Sequence, residues 1–517
     1  MTHVIALSSY SADRWLATGS GAELVSATDG AIVARMPDKA DASEMVAYAR
    51  EVGGPALRAM TFQQRGKMLR ALADALAARK DELYALSAFT GATRSDSGFD
   101  IEGGIGTFFA YASRAKGMPD ARIMLDGGRE PISKGDFIGQ HILAPMTGVA
   151  VHINAYNFPV WGMLEKLAPT LLAGMPAIVK PATEGAYLTQ AAFRIMVESG
   201  ALPPGAVQLL LGKTGDLLDR LGGQDSVAFT GSAATASRLK INPNLIGNTV
   251  RFAAEQDSLN AAILGLDVMP DSPEFDLFVK EVTREMTQKA GQKCTAIRRI
   301  IVPGPLIELV QDALVARLGK MTIGDPREDT TRLGALAGIR QRDDVIENLG
   351  KLRQVADLVV GGTIPDLGEK LSKGAFFNAT LLRCERPWQA EAVHAIEAFG
   401  PVSTLMPYGD AEEAIALANA GMGSLVLSIF SRDHAAIAAM VGGVSPFHGR
   451  ILIVDRDNAE FSLGHGSAMP QLQHGGPGRA GGGAELGGVI GMMPYMQRSA
   501  IQASAAVLEA LEGGSKA

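Results

Sequence analysis

Cys294, in "GQKCTAIRR", follows a long helical pattern and opens an irregular stretch where a sulfur can face a cleft as well as a core. Taken alone it reads as a buried structural thiol; ionised and facing a cleft, it is a nucleophile. Other segments carry groups that such a nucleophile needs. Asn157, in "YNFP", sits in a turn before a helix, where its amide either stabilises its own loop or donates to an oxyanion together with the Cys294 backbone amide. Glu255 ends the strand-like "VRFAAE", either as an ordinary surface glutamate or as a base whose apolar neighbours partly desolvate it and raise its pKa toward neutrality. Lys180 ends the buried-type run "AIVK", at the sheet edge where ligands bind or where a lysine is simply solvated. Phe229, Thr230, Gly231 and Ser232 form "FTGS" between a strand and a helix, either an ordinary turn or a set of amides and a hydroxyl for a pyrophosphate.

Several other signals fail on context. Gly476, Gly478 and Gly481 spell G-x-G-x-x-G, but "MPQLQH" before them is a poor strand and no helix opens after them. "GKT" at Gly212 to Thr214 ends like a phosphate loop, yet Val207 stands where the first glycine belongs. The eight histidines form no H-x-x-x-H or H-x-H pair, so each reads as surface or satisfied core, no metal site is expected, and no Cys–His pair is indicated. Cys384, at the end of a short strand, reads as structural. Lys293, Arg298 and Arg299 flank the candidate thiol, but their directions are not legible in the sequence, and no role is assigned to them.

The elements that position these groups are α/β in rhythm. Residues 61–91 are helical, with Leu69, Leu72 and Leu76 on one face and Thr61 and Gln64 set as a capping box. From residue 148, strand-like runs ("GVAVHIN", "PAIVKPA", "AVQLLLG", "SVAFTGS", "VRFAAE") alternate with helical ones, among them "DLLDRLGG". "AAILGL", "RRIIVP", "VSTLMPY" and "SLVLSIF" continue the alternation. This predicts two doubly wound α/β domains with the thiol near their junction. The glycine-rich "HGGPGRAGGGAELGG" near the end reads as irregular backbone with specific contacts.

Composition narrows the function. A formal charge of −7 argues against a nucleic-acid partner, and two cysteines ninety residues apart imply a reduced, cytoplasmic protein without a disulfide framework. The first twenty residues lack the pattern of a secretory signal, and no apolar run reaches the roughly 18 residues of a membrane span, so no membrane association is expected.

Five segments in order, "NAYNFPVWGMLEKLAPTLLAGMPAIVKPA", "AFTGS", "AAEQDSLN", "GQKCTAIRR" and "EAFGP", resemble the aldehyde dehydrogenase superfamily from about residue 15 to the end. The resemblance implies that family's fold. It divides the chain into a cofactor-binding domain (1–124 and 148–255), a catalytic domain (256–463), and oligomerisation and C-terminal segments (125–147 and 464–517). Cys294 then attacks an aldehyde, Asn157 and the Cys294 amide hold the oxyanion, hydride leaves for the nicotinamide, and Glu255 activates the water that hydrolyses the thioester. Lys180 contacts the cofactor ribose, Glu397 holds the nicotinamide ribose and Phe399 packs beside the nicotinamide.

There are departures from the pattern. Gln256, Asp257 and Ser258 stand where the family usually has leucine and two glycines, which leaves the local backbone course open. Ala236 replaces a glycine of the cofactor loop, which implies a looser approach of helix to strand. Thr183 occupies a position where many NAD-preferring members carry glutamate, so NADP is the expected cofactor, with NAD possible and Glu184 a potential interference.

Within the family, "TQKAGQKCTAIRRIIVP" and "QLQHGGPGRAGGGAELGG" are most similar to the branch acting on coenzyme A-linked semialdehydes in phenylacetate and benzoyl-CoA degradation. The chain stops after "MQRSAIQASAAVLEALEGGSKA", without the hydratase domain of the bifunctional form, so a stand-alone, dimer-based dehydrogenase is expected. The alternatives are a coenzyme A-acylating dehydrogenase, which Glu255 argues against, and a catalytically silent binding protein of the same fold.

Overall fold

Runs of four to seven buried aliphatic and β-branched residues, too short for helices and apolar on both faces, form central strands covered by helices on both sides. The structure is a computed structural model and describes residues 4–16, 21–37 and 41–514. The start of the expected leader-free N-terminus and small parts of the ranges 1–124 and 464–517 lie outside the described residues. One seven-stranded sheet runs in the order Arg251–Glu255, Ser226–Thr230, Ala150–Ile153, Ala177–Lys180, Val207–Leu209, Tyr10–Ser11, Arg14–Trp15. Its first five strands are parallel, and the N-terminal hairpin closes the edge antiparallel. The register aligns Thr230 with Glu255 and Ile153 with Lys180, so the candidate residues share one carboxyl edge.

The second seven-stranded sheet runs Asp357–Val360, Thr380–Arg383, Val402–Tyr408, Arg299–Pro303, Ala261–Leu264, Ser424–Phe430, His448–Val454, parallel except at its first strand. The expected pair of doubly wound domains is therefore present. A small antiparallel extension pairs Met496–Ala503 with Ile138–Pro145 and that strand with Met124–Pro131. Two local readings differ. "DLLDRLGG" forms only the single turn Leu217–Arg220, and the strand His448–Val454 was not singled out because its Gly449 and Arg450 interrupt the apolar run.

Three helices matter for the site. Phe62–Ala78 starts at the expected Thr61–Gln64 capping box, and Arg94–Ala115 starts at a second one made by Thr93 and Asp96. Trp161–Ala173 follows the Asn157 turn, is buried from Met163 onward, and ends at Gly174 with φ +92°, a conformation that favours glycine. No helix among the described residues is long and apolar enough to cross a membrane.

Candidate active site

The Cys294 loop is held under backbone strain. Helix Pro273–Thr287 ends, and Lys289, Ala290 and Gly291 follow with φ of 56°, 51° and 68°. Left-handed conformations at two non-glycine residues persist only where the surroundings enforce them. Here Asp96 accepts from the Lys289 backbone N–H at 2.8 Å, and the Arg298 guanidinium donates to the Gly291 carbonyl at 2.8 Å. A Cβ at Gly291 would lie 2.2 Å from the Gly400 carbonyl oxygen, so glycine is required there for space as well. Asn260 then donates to the carbonyls of Cys294 and Ala296 at 2.7 and 3.0 Å, fixing the backbone of Cys294 itself.

Cys294 lies where two cavities meet. Ala155, Asn157, Thr230, Glu255 and Cys294 line both. One cavity is a slot of about 40 Å³ walled by Phe99, Phe158 and Trp161, whose ring centroids lie 5.0 to 6.2 Å apart. The other is an open cleft of about 520 Å³ lined by Phe229, Gly231, Ser232, Glu397 and Phe399 from the predicted set. A thiol reached from an apolar slot on one side and a polar cleft on the other suits a two-substrate reaction.

The predicted residues divide by position. Asn157 donates its side-chain N–H to the Gln292 carbonyl at 3.0 Å, which aims its amide at the Cys294 loop. Glu397 accepts from the Ser258 N–H at 3.1 Å and faces Arg298 at 3.4 Å; burial outweighs that arginine and pushes its carboxyl up to about 7. Lys180 stays at its strand end with its Nζ on the Pro181 carbonyl at 2.8 Å, and Thr183 is exposed. Glu184 accepts from Gln341 of the facing helix at 2.9 Å. The basic neighbours of the thiol point elsewhere. Lys293 is bound by Glu285 at 2.8 Å, and Arg299 donates to the carbonyls of Leu259, Leu417 and Ala418.

The departures around Glu255 each find a partner. Gln256 bonds the Arg479 carbonyl through its side chain and the Ala480 carbonyl through its backbone, and Asp257 accepts from Ala233 N–H, the first amide of helix Ala233–Lys240. Ala236 packs fully buried against Phe229 and Ala254. Ser232 caps the same helix by accepting from Thr235. Asn154, buried on the cleft wall, has neither side-chain oxygen nor nitrogen bonded to protein, so a ligand with donors and acceptors fits that wall.

Four ionisable groups at the site were missed by the sequence reading, and two expectations are overturned. His474 Nε2 lies 3.0 Å from Glu255 Oε2 and 4.0 Å from Cys294 Sγ, so a Cys–His contact exists and this histidine is neither surface nor inert core. No local signal marked it. Strand Gln473–Gly475 pairs with Ala484–Leu486, setting His474 opposite Glu485. Glu485 in turn lies 3.1 Å from Lys166, which also reaches Thr230 Oγ1 at 2.7 Å and Glu165 at 3.4 Å.

The glycine run explains how this ribbon gets so close: a Cβ at Gly481, whose φ is +107°, would fall 2.2 Å from the Ala254 carbonyl oxygen. Its irregular spacing serves backbone contact and not a phosphate. The expected rise in the Glu255 pKa does not occur. Burial alone pushes it up, but His474, Lys166 and the Cys294 thiol together outweigh burial and hold the carboxyl at about 2. Cys294 is pushed up, by burial first and then by Glu255, so the resting thiol keeps its proton. Cys384 is buried, as expected.

Residues 15–498 match the aldehyde dehydrogenase family. The chain is 44% identical over 478 residues to 3,4-dehydroadipyl-CoA semialdehyde dehydrogenase of Aromatoleum evansii, covering 91% of this chain and 93% of that one. It is 27% identical over 416 residues to α-ketoglutaric semialdehyde dehydrogenase of Bacillus subtilis, covering 79% and 80%. Among solved structures, betaine aldehyde dehydrogenase of Staphylococcus aureus in complex with NAD+ superposes with a TM-score of 0.84 at 25% identity, over 97% of this chain and 95% of that one. With a strained cysteine loop between two doubly wound domains, and this match over nearly its full length, the chain belongs to the aldehyde dehydrogenase family.

Proposed function

We propose that the protein oxidises the aldehyde of a coenzyme A-linked semialdehyde to the carboxylic acid, with NADP as the preferred cofactor and hydrolysis of a Cys294 thioester as the second half. The observation that carries this reading is the position of Cys294 at the junction of the aromatic slot and the polar cleft, with Asn157 and Glu255 lining both. The slot receives the aldehyde end. The cleft suits a nicotinamide dinucleotide: "FTGS" lies at a helix N-terminus, Glu397 and Phe399 face it, and Asn154 offers an unpaired amide. Such a cofactor, when bound, supplies the hydride acceptor.

The chain's own residues do the rest. The Cys294 sulfur adds to the carbonyl carbon, and the Asn157 amide and Cys294 backbone N–H hold the oxygen that becomes negative. Glu255 takes a proton from the water that cleaves the thioester. Lys180 and Thr183, outside both cavities, are assigned to the ribose and adenosine end, and the missing carboxylate at 183 underlies the NADP preference.

The coenzyme A handle rests on the 44% identical relative, whose name specifies a CoA semialdehyde, and on the narrowness of the slot, which suits a thin acyl chain with its bulky group outside. We assign the cofactor and catalytic domains to 1–124 with 148–255 and to 256–463. The extension, with exposed Ile132 and Phe137, is assigned to a dimer contact. The test compares cofactor reduction with a CoA-linked semialdehyde and with simple aliphatic aldehydes. A remote handle should raise kcat as well as lower KM; equal kcat/KM for small aldehydes removes the CoA assignment, and no reduction with any aldehyde removes the function.

A further inference from the structure

We propose that His474 is a further catalytic residue: an imidazolium that stays charged through the cycle and exchanges its Nε2–H hydrogen bond between the Glu255 carboxylate and the Cys294 thiolate as one proton passes between those two groups. The inference rests on the cysteine mechanism above but not on the identity of the aldehyde. Its basis is geometric. One nitrogen, Nε2, faces both acceptors, Oε2 of Glu255 at 3.0 Å and Sγ of Cys294 at 4.0 Å, and an N–H there bonds one of them at a time.

The placement is built by the backbone. Gly483 N–H donates to the Ala254 carbonyl at 3.1 Å and Gln256 N–H to the Ala480 carbonyl at 3.1 Å, so the ribbon carrying His474 is tied to the strand end carrying Glu255. The other end of the ribbon is held through Glu485 on Lys166.

The charges around the ring favour the protonated form. Glu255 from strand Arg251–Glu255, Glu165 from helix Trp161–Ala173 and Arg450 from strand His448–Val454 act on it, together with Cys294 from its loop and Glu485 across the ribbon. Burial opposes the charge, yet Glu255 in direct contact and Glu165 outweigh burial and Arg450, and the His474 pKa lies above its usual value.

The proton inventory closes with the imidazolium as a spectator charge. At rest the thiol is protonated, Glu255 is a carboxylate and His474 bonds it. On attack the S–H bond breaks, the proton goes to Glu255, and the sulfur lone pair forms the C–S bond while the carbonyl π pair moves to oxygen. With Glu255 neutral, the sulfur is the anion nearest to Nε2 while it carries charge. The oxyanion pair then re-forms the C=O bond as the C–H bond breaks and its hydride leaves for the nicotinamide-type acceptor of the proposed function; with the sulfur now a thioester, Glu255 releases its proton to solvent and is a carboxylate again. It then takes a proton from the attacking water, and collapse of the tetrahedral adduct breaks the C–S bond and frees the carboxylic acid. The thiolate leaves beside the imidazolium and recovers its proton from Glu255. Without His474, the thiolate forms next to Glu255 and loses the cation in contact with it; Lys293, Arg298 and Arg450 also act on the sulfur, but they are engaged by Glu285, by Glu397 and by the carbonyls of His465 and Ser467.

The experiment needs no aldehyde. The rate of iodoacetamide alkylation at Cys294, read by peptide mass against pH on the full chain, compares wild type, His474→Gln, Glu255→Gln and the double variant. His474→Gln should slow alkylation at pH 7 at least about tenfold and move its midpoint up by more than about one pH unit. Glu255→Gln removes the repelling carboxylate, so its midpoint should fall below that of the wild type. The double variant should lie above Glu255→Gln by a comparable margin.

Superposable profiles for wild type and His474→Gln overturn the proposal. If His474→Gln does not fold, as judged by its melting curve, the 15N-histidine NMR spectrum of the wild type decides: the ring whose signals move in Glu255→Gln must be an imidazolium at pH 7, and a neutral ring there rejects the proposal. A protein that shows these shifts yet oxidises no aldehyde keeps the His474 assignment and loses the proposed function.

Discussion

The two walls of the Cys294 site are built differently. The cleft wall, formed by Phe229, Gly231, Ser232, Glu397 and Phe399, consists of strand ends and turns whose polar groups face an open space. On the opposite side Glu165 and His474 line the slot, and four ionisable groups are buried: Lys166 contacts Glu165 and Glu485, and His474 contacts Glu255. On the cleft wall only Glu397, which is buried and pushed up to about 7, departs from the chemistry its type implies. On the buried wall Glu165 and His474 are both pushed up, because in a low-dielectric setting each charge is set by its neighbours as well as by burial. Glu255 belongs to both walls, and the buried one decides its protonation.

This contrast can be broken from either side. The largest effect is expected at the junction itself: Cys294→Ala should lower aldehyde oxidation by more than about 10⁴-fold while cofactor binding, followed by nicotinamide fluorescence, is retained; Cys384→Ala should change neither. Next, Glu255→Gln should give up to about one reduced cofactor per active site and then stall as the thioester, with the steady-state rate down by about 10² to 10⁴. A full steady-state rate in rapid-mixing measurements would remove Glu255 from the water step.

The buried wall predicts a stability effect with little counterpart in the cleft. Lys166→Met leaves Glu165 and Glu485 without their cation and should destabilise the fold by about 3 kcal/mol or more in denaturant titration. Its pH dependence has a definite sign. Burial outweighs Lys166 and raises Glu165 from 4.5 to about 7, so the folded state holds a proton that the unfolded chain releases above pH 4.5. The stability this group contributes is complete below pH 4.5 and falls as pH rises through 7. Without the lysine the fall should be steeper, and a Lys166→Met deficit no larger at pH 8 than at pH 5 would count against the coupling.

The smallest effect lies on the cofactor side. Thr183→Glu should shift the kcat/KM ratio from NADP toward NAD by about tenfold or more through repulsion of a 2'-phosphate, without touching Cys294 alkylation. A wild-type preference for NAD would defeat that reading.

On the cleft wall, "FTGS" was legible as a strand-to-helix turn at an edge where alternation of strand and helix places ligands, while Glu397 and Phe399 were legible only through the resemblance that "EAFGP" carries. Asn157 was legible in the way "FTGS" was, as a turn residue ahead of a helix. The ribbon was not: Gln473–Gly475 is three residues long, its glycines mimic a phosphate loop, and His474 is 180 positions from the sulfur it approaches. Glu165 and Lys166 were hidden inside an otherwise apolar helix, where a charged pair looks like an ordinary surface turn until the helix is known to be buried.

By itself the sequence determined the doubly wound architecture, which follows from local periodicity; the roles given to Cys294, Glu255 and "FTGS" rest on the resemblance of five ordered segments to a family, since each of these alone also reads as ordinary structure or surface. Tertiary structure alone decided that Lys293 and Arg299 turn away from the thiol, that a C-terminal ribbon brings an imidazole to it, and that Glu255 is held acidic instead of basic at rest. The reason is that a buried charge answers to every other charge within a few ångströms, and those distances join residues that no local pattern relates.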